Sequence, residues 1–193
     1  MLGLKLPTDA RWAQLASNNL EEVLTDHAWC EQKAASNAIS IIVSYSELPD
    51  LVAQLTNIAQ EELLHFQQVT EKIAARNFAL GRERKDSYVN ELVKFIRKGH
   101  NREIVLLDRL LFSAMIEARS CERFKMLTET CTDPDLAEFY RDLMVSEAGH
   151  YTTFLKLAKK HVNPEMVEPR WQEWLAYEAE VIQRYGKAET IHG

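Results

Sequence analysis

The sequence predicts an all-α fold in which four long helices pair as two antiparallel hairpins joined by a long crossover, with one extra helix at the C-terminal end. Three observations lead there. Only six glycines and five prolines fall in 193 residues, which leaves few places where a helix must stop. No stretch sustains the period-two alternation of β-branched and aromatic residues that marks a strand. The predicted connections run short, long, short, the order expected of two hairpins and a bridge.

The elements follow from local signals. The first helix is expected to start at Thr8 or Asp9, good N-cap residues just after Pro7, and to run to about Glu47, where Leu48-Pro49-Asp50 ends it. The second covers about Asp50 to Asn77, with Asn77 and Gly81 as stop residues. A polar, basic stretch to about Arg102 carries the chain onward and is expected to hold a short helix over Ser87 to Lys98. The third long helix then runs to about Cys131. Asp133 as cap and Pro134 at a first helical position start the fourth, which reaches about His161. Pro164 and Pro169 punctuate a last helix from about Arg170 to Tyr185. The reading is one domain over 1–193, a four-helix bundle over 8–162 plus an accessory helix over 170–185, which is the ferritin-like arrangement.

Composition narrows the class. With 46% hydrophobic and 27% charged residues, the chain has enough apolar surface for a sizeable core, so a disordered reading fails. No run approaches the roughly 20 apolar residues of a membrane span, and Met1 to Asp9 lacks a signal-peptide pattern, so the expected compartment is the cytoplasm. Cys30, Cys121 and Cys131 form no Cys-x-x-Cys pair and suggest neither a disulfide framework nor a zinc knuckle. The net charge of −6 argues against indiscriminate nucleic-acid binding, but it is unevenly spread. Gly81 to Arg102 carries +4, through Arg82, Arg84, Lys85, Lys94, Arg97, Lys98 and Arg102 against Glu83, Asp86 and Glu91, and the remainder carries −10.

Polar residues stand where the core should be. The apolar stripe of the second helix reads Leu51, Leu55, Ile58, Glu62, His65, Val69, Ile73, and that of the fourth reads Leu136, Tyr140, Leu143, Glu147, His150, Phe154, Leu157. The first helix gives Leu20, Leu24, His27, Glu31, Ala34, Ala38, Ile41, Tyr45, and the third gives Leu106, Leu110, Ala114, Glu117, Cys121, Phe124. Four buried carboxylates without compensation would each cost several kcal/mol or be forced to protonate. Two divalent metals remove the problem. Glu31, Glu62, His65, Glu117, Glu147 and His150, in the order Glu, Glu-x-x-His, Glu, Glu-x-x-His, form the ligand pattern of ferritin-like di-iron and di-manganese proteins.

A single Glu-x-x-His carries little weight, since Glu189 and His192 share the spacing in the tail. Two pairs on core stripes, each matched by a carboxylate on the preceding helix, carry much more. Glu122 rivals Glu117 on the third helix, and helical rise chooses between them. Glu31 precedes Glu62 by 31 residues and Glu117 precedes Glu147 by 30, whereas Glu122 precedes it by 25. At 1.5 Å per residue, Glu117 lies about 21 Å below the turn at Cys131 and Glu147 about 18 Å below Asp135, while Glu122 stands only about 14 Å from that turn, off level. Glu122 is expected to pair with Arg119 or Arg123, or to support the site from behind. His27, one turn before Glu31, reads as a satisfied core histidine, with support of Glu31 as the alternative.

Carboxylate-rich iron with two histidines favours Fe(II) chemistry with O2, and the lack of a rubredoxin-like cysteine module means electrons come from elsewhere. The segments Leu6-Pro7-Thr8-Asp9 with Trp12, Asp26-His27-Ala28-Trp29-Cys30-Glu31, Glu61-Glu62-Leu63-Leu64-His65-Phe66, Ile116-Glu117-Ala118-Arg119-Ser120-Cys121-Glu122-Arg123-Phe124 and Ser146-Glu147-Ala148-Gly149-His150-Tyr151 go further. Together they resemble the bacterial tRNA 2-methylthio-N6-isopentenyladenosine hydroxylase family over nearly the whole chain, to about Arg170. The resemblance implies a non-haem centre of two iron ions on the six ligands, acting with O2 and an external, ferredoxin-type electron donor. The implied substrate is tRNA, hydroxylated on the isopentenyl side chain of the hypermodified adenosine at position 37.

On that reading Trp29, Tyr45, Phe66, Phe124 and Tyr151 are candidates for an apolar slot or a base stack, against the alternative of ordinary core aromatics. Arg82, Arg84, Lys85, Arg97, Lys98 and Arg102 are candidates for tRNA phosphates or an acidic ferredoxin, against a merely solvated crossover. Two other functions remain in view: a di-iron oxidase or oxygenase of a small molecule, and an iron-binding bundle without an organic substrate.

Overall fold

The computed structural model describes residues 2–185 and 191, so Glu189 and His192 lie outside the described residues. Within them there are seven helices and no strand: α1 (Arg11–Asn18), α2 (Leu20–Ser44), α3 (Pro49–Ala75), α4 (Ser87–Val93), α5 (Arg102–Thr130), α6 (Pro134–His161) and α7 (Pro164–Tyr185). No helix is long and apolar enough to cross a membrane. The chain divides into two compact units. Among the described residues, unit 1 holds 2–17 and 86–185, and unit 2 holds 18–85 and 191.

Unit 2 is a helical hairpin. Pro49 opens α3 at a first helical position, and Leu48 N–H donates to Tyr45 O at 3.1 Å across the turn. Val23, Leu24, Ala28, Ala38 and Ile41 of α2 are buried, as are Leu51, Leu55, Val69 and Ile73 of α3. The α2 stripe departs from expectation at one position: Ala35 is buried and Ala34 is not, because the seam from Glu31 passes through the residues four and seven further on. The end of α3 is built on Asn77, whose φ of 56° is the left-handed conformation that asparagine tolerates. Phe78 N–H reaches back to Ile73 O at 3.1 Å and Asn77 N–H to Ala74 O at 3.0 Å, satisfying the last carbonyls.

Unit 1 holds α1 and α4–α7. The expected first helix is broken at Asn18–Asn19, and its first part, α1, belongs to unit 1 while α2 belongs to unit 2. Two consecutive asparagines compete with the backbone for hydrogen bonds and favour such a break; Asn19 sits at φ −127°, ψ 45°. Asp86, Asn101 and Asp133 cap α4, α5 and α6, accepting from Val89 N–H, Ile104 N–H and Asp135 N–H respectively. The last helix begins earlier than expected, at Pro164, because Asn163 Oδ1 accepts Glu165 N–H at 3.1 Å and caps it there; Pro169 is carried inside.

Helix α5 is buried almost all round, with Leu106, Leu107, Leu110, Leu111, Ala114 and Met115 on successive faces, since α4, α6 and α7 all pack against it. Its polar residues therefore need partners. Asp108, fully buried, accepts from Arg97 Nε at 2.9 Å and Nη2 at 3.0 Å, and from Arg170 Nε at 2.8 Å and Nη2 at 3.1 Å. Arg170 also donates to Phe95 O at 2.7 Å. One carboxylate thus ties the end of the crossover and α7 to α5.

Burial alone would raise the Asp108 carboxyl, but the hydrogen bonds from Arg97 and Arg170 outweigh it and hold it below the usual range. A depressed carboxyl contributes stability that is present above its unfolded pKa, about 3.9, and is lost as pH falls through the lower folded value. Urea midpoints from pH 7 down to pH 3 are expected to fall in the wild type and to fall less steeply in Asp108→Asn, which starts from a lower midpoint. Parallel profiles for the two proteins would mean that Asp108 does not carry this part of the acid limb.

Candidate functional site

Each unit carries a buried carboxylate–imidazole group. In unit 2, Glu31 comes from the middle of α2, and Glu62 and His65 from one face of α3, three residues apart. They are 5%, 0% and 7% exposed. His65 Nδ1 lies 3.8 Å from Glu31 Oε2 and 3.6 Å from Glu62 Oε2, and one donor atom from each of the three lies within 4.8 Å of the others. In unit 1, Glu117 of α5 and Glu147 and His150 of α6 are buried to the same degree. His150 Nδ1 lies 3.9 Å from Glu147 Oε2, and one donor atom from each residue again falls within 4.8 Å of the others.

Donor atoms on opposite sides of a first-row divalent ion, each roughly 2.0–2.2 Å from it, stand about 4 Å apart. The spacing in both groups fits one ion held among two carboxylates and one imidazole. Bringing two carboxylates together in a dry interior is costly without a cation, and the donor set of hard oxygens with one nitrogen suits iron or manganese. Each group is a buried Glu/His cluster able to hold a metal ion.

The residues around the clusters sort themselves. His27, fully buried, places Nε2 at 2.5 Å from Glu31 Oε1, while the other oxygen of that carboxylate faces His65. His27 is the satisfied core histidine expected, and the same contact leaves it placed to orient the Glu31 carboxylate from behind, as the alternative requires. His27→Leu is expected to keep the helical content and weaken metal binding to the protein by about 10- to 100-fold, read by competition with a chelator. Unchanged affinity would strip His27 of that role.

Glu122 does not join the unit 1 group; its carboxylate is taken by Arg119 and by Thr8, whose hydroxyl donates at 2.7 Å. Cys121 is no ligand either. Burial, and then the charge of Glu147, push its thiol up to about 12, and it donates to Met144 O at 3.3 Å. The three cysteines are free, as expected.

Of the candidate aromatics, Tyr45 and Phe124 are core, 5% and 1% exposed, Phe124 lying 5.5 Å from Tyr140. Tyr151 is partly exposed beside Trp171. Trp29 and Phe66, both partly exposed, pair with each other in unit 2.

The basic candidates also differ in standing. Arg97 is committed to Asp108, and Arg84 pairs with Glu22. Arg82, Lys85, Lys98 and Arg102 are exposed. Arg82, Arg84 and Lys85 belong to unit 2, and Arg97, Lys98 and Arg102 to unit 1. Sequence reading missed Asp108, Arg170 and Glu178, which pair across 59 residues or more in the contacts Arg119–Glu178 and Asp108–Arg170.

Comparison with known proteins adds four findings. The family model for tRNA-(MS[2]IO[6]A)-hydroxylase (MiaE) matches residues 2–193. The tRNA 2-(methylsulfanyl)-N(6)-isopentenyladenosine(37) hydroxylase of Pseudomonas putida is 37% identical over 189 residues, covering 98% of this chain and 91% of that protein. The protein of the same description from Salmonella typhimurium is 30% identical, covering 93% of this chain and 83% of its own length. Among solved structures, a Synechococcus protein described as Protein 43 with aldehyde deformylating oxygenase activity superposes with a TM-score of 0.92 at 35% identity, over 98% of this chain and 95% of that one. The all-α, ferritin-like class read from the sequence therefore holds. With the family model spanning all but the first residue, and two relatives matched over most of both lengths, the chain belongs to the tRNA-(MS[2]IO[6]A)-hydroxylase family.

Proposed function

We propose that Glu31, Glu62 and His65 act together with Glu117, Glu147 and His150 as one di-iron centre, in a single domain over 1–193. We further propose that the protein hydroxylates the isopentenyl side chain of 2-methylthio-N6-isopentenyladenosine at position 37 of tRNA, using O2 and an external electron donor. The observation that carries the reading is the duplicated cluster. Each hairpin supplies one Glu and one Glu-x-x-His, all six buried, at near-equal sequence spacing. Four carboxylates and two neutral imidazoles balance two Fe(II) ions, so the pooled set is electrically satisfied where either half without metal is not. Membership of the family supports the choice of substrate.

Bound iron supplies the activation of O2, so that a C–H bond becomes C–OH and the second oxygen atom leaves as water, with two electrons from the donor and two protons. The chain's own part is to hold, orient and exclude. The Glu-x-x-His pairs fix two ligands on one face of α3 and of α6, three residues apart, so the helix sets their spacing before any ion arrives. His27 fixes Glu31. The apolar neighbours Ile58 and Val69 in α3, and Leu143 and Phe154 in α6, keep the surroundings dry, which suits a substrate group made of hydrocarbon.

The test is direct. Purified protein is loaded with Fe(II), given reductant, O2 and tRNA from cells lacking it, and the released nucleosides are analysed by mass spectrometry. A gain of one oxygen on the isopentenyl-modified adenosine is expected. The Synechococcus neighbour favours a second reading, an oxygenase of a small molecule such as an aldehyde. Two irons bound with no oxygen added to tRNA, but O2 consumed with a long-chain aldehyde, would replace the first reading with the second.

A further inference from the structure

Three of the four tryptophans are core: Trp12, Trp171 and Trp174 are 2%, 5% and 0% exposed. Trp29 is the exception. Its ring centroid lies 6.0 Å from that of Phe66, tilted by 48°, and Phe66 is itself partly open. Leu63, three residues before Phe66 on α3, is 48% exposed. The indole N–H donates to Gly81 O at 2.9 Å, so its one polar atom is spent and what it offers to solvent is apolar ring. Phe66 follows His65 and stands one turn beyond Glu62.

The same bond anchors a basic segment. Residues 79–84 are laid along α2 by a series of contacts. Ala79 N–H donates to Glu21 at 3.2 Å and Gly81 N–H to Thr25 Oγ1 at 3.3 Å. Lys33 Nζ pairs with Glu83 at 3.0 Å, and Arg84 pairs with Glu22. The approach at Gly81 is close, since a Cβ there would meet Thr25 Cγ2 at 3.0 Å. Within this fixed run Glu83 is answered by Lys33 and Arg84 by Glu22. The exposed side chains of Arg82 and Lys85 have no hydrogen-bond or ion-pair partner among the described residues. The carbonyl that receives the indole proton is the one joined to Arg82, so a ring pair and two unspent cations share one stretch of surface in unit 2.

Proteins that take single-stranded nucleic acid combine these two features, aromatic faces for bases and cations for the phosphates between them. We infer that Trp29 and Phe66 form a stacking platform for an unpaired base of the tRNA loop, with Arg82 and Lys85 on the adjoining phosphates. This rests on the proposed function and names the surface that receives its substrate. It also narrows the six basic candidates to the two whose charge is unspent beside the rings.

The experiment uses the whole chain loaded with Fe(II) and kept free of O2, and its tryptophan fluorescence. The probe is an anticodon stem-loop RNA carrying N6-isopentenyladenosine, and the control is a blunt duplex RNA of equal charge. The loop RNA is expected to quench emission and the duplex to quench little. Phe66→Leu weakens loop binding by roughly 5- to 150-fold, the loss of one stacked base, while Phe66→Tyr, which keeps a ring, stays within about threefold. Arg82→Gln/Lys85→Gln lowers the slope of log K against log salt by about 1–1.5 without removing the quench at saturation. In iron-loaded protein Phe66→Leu raises KM for tRNA far more than it lowers kcat, at unchanged iron content.

Equal binding by Phe66→Leu and Phe66→Tyr, equal quenching by the duplex, or an unchanged salt slope would overturn the platform. Wild-type hydroxylation of tRNA with any of these results leaves the proposed function standing and removes the platform alone. Wild-type protein that neither binds the loop nor oxidises it removes both.

Discussion

Glu117→Ala protein, reconstituted with Fe(II), is expected to bind fewer than two irons per chain and to lose more than 100-fold in oxygen transfer to tRNA, whereas Glu122→Gln retains both. Loss of an outer supporting residue costs about 10- to 100-fold in affinity or activity, so loss of a direct ligand should exceed that range. Glu117 is 4% exposed and grouped with Glu147 and His150. Glu122 stands five residues away with both oxygens turned to Thr8 and Arg119. Glutamine is the right replacement there because it still accepts from Thr8 N–H and Thr8 Oγ1–H, so folding is less disturbed than by alanine. Two irons per chain in Glu117→Ala, with activity intact, would hand the ligand role on α5 to another residue and undo the height argument.

Much of this arrangement is written in short-range chemistry. The starts of α3 and α6 lie at Pro49 and Pro134, and the end of α3 uses Asn77, because caps and prolines act within a turn of where they sit. The two buried Glu/His clusters are legible for a different reason: a carboxylate or imidazole on an apolar stripe contradicts the stripe, and six such contradictions at matched spacing mark groups able to hold metal ions. The break at Asn18–Asn19 was not legible. Either asparagine alone is tolerated in a helix, and what decides the outcome is that α1 and α2 pack in different compact units.

The burial of charge on α5 was legible only in part. Glu122 with Arg119 is a three-residue spacing, visible on any helical wheel. Asp108 with Arg170, and Arg119 with Glu178, join residues 62 and 59 apart, and nothing in the local pattern marks a charged residue of the last helix as core. His27 was legible from local spacing. An imidazole one turn from a carboxylate fits both a core histidine and a support for Glu31, the 2.5 Å contact serves both, and the metal affinity of His27→Leu is what separates them.

Arg119→Met is expected to cost about 3–5 kcal/mol of stability, the usual penalty for leaving buried charges without their partner. For a chain of this size that corresponds to a fall in Tm of roughly 6–20 °C. The guanidinium is fully buried and donates to Glu178 from Nε at 2.9 Å and from Nη2 at 2.7 Å, to Thr8 Oγ1 at 3.0 Å, to Leu6 O at 3.0 Å and to Glu122. Tyr88 donates to the same Glu178 oxygen at 2.8 Å. One side chain therefore fastens the N-terminal segment, α4 and α7 to α5. Arg119→Lys should rescue little, because an ammonium cannot spread donors across those four groups. Arg119→Met/Glu122→Leu/Glu178→Leu should recover much of the loss, since the apolar set removes the stranded carboxylates along with the cation.

Arg123, one turn on, is the control. It too is fully buried, over the Trp12 ring at 4.5 Å, but burial, and then repulsion from Arg119, push its guanidinium down to about 10, whereas around Arg119 the surrounding Tyr88, Glu178 and Glu122 outweigh burial. Both guanidinium groups stay charged at neutral pH, but the surroundings favour the charged form of Arg119 and disfavour that of Arg123. Arg123→Met should accordingly cost less than half of what Arg119→Met costs in the same urea titration. Equal losses for the two, or a loss below about 1 kcal/mol for Arg119→Met, would show that the N-terminal segment and α7 are held to α5 by apolar packing and not by this guanidinium.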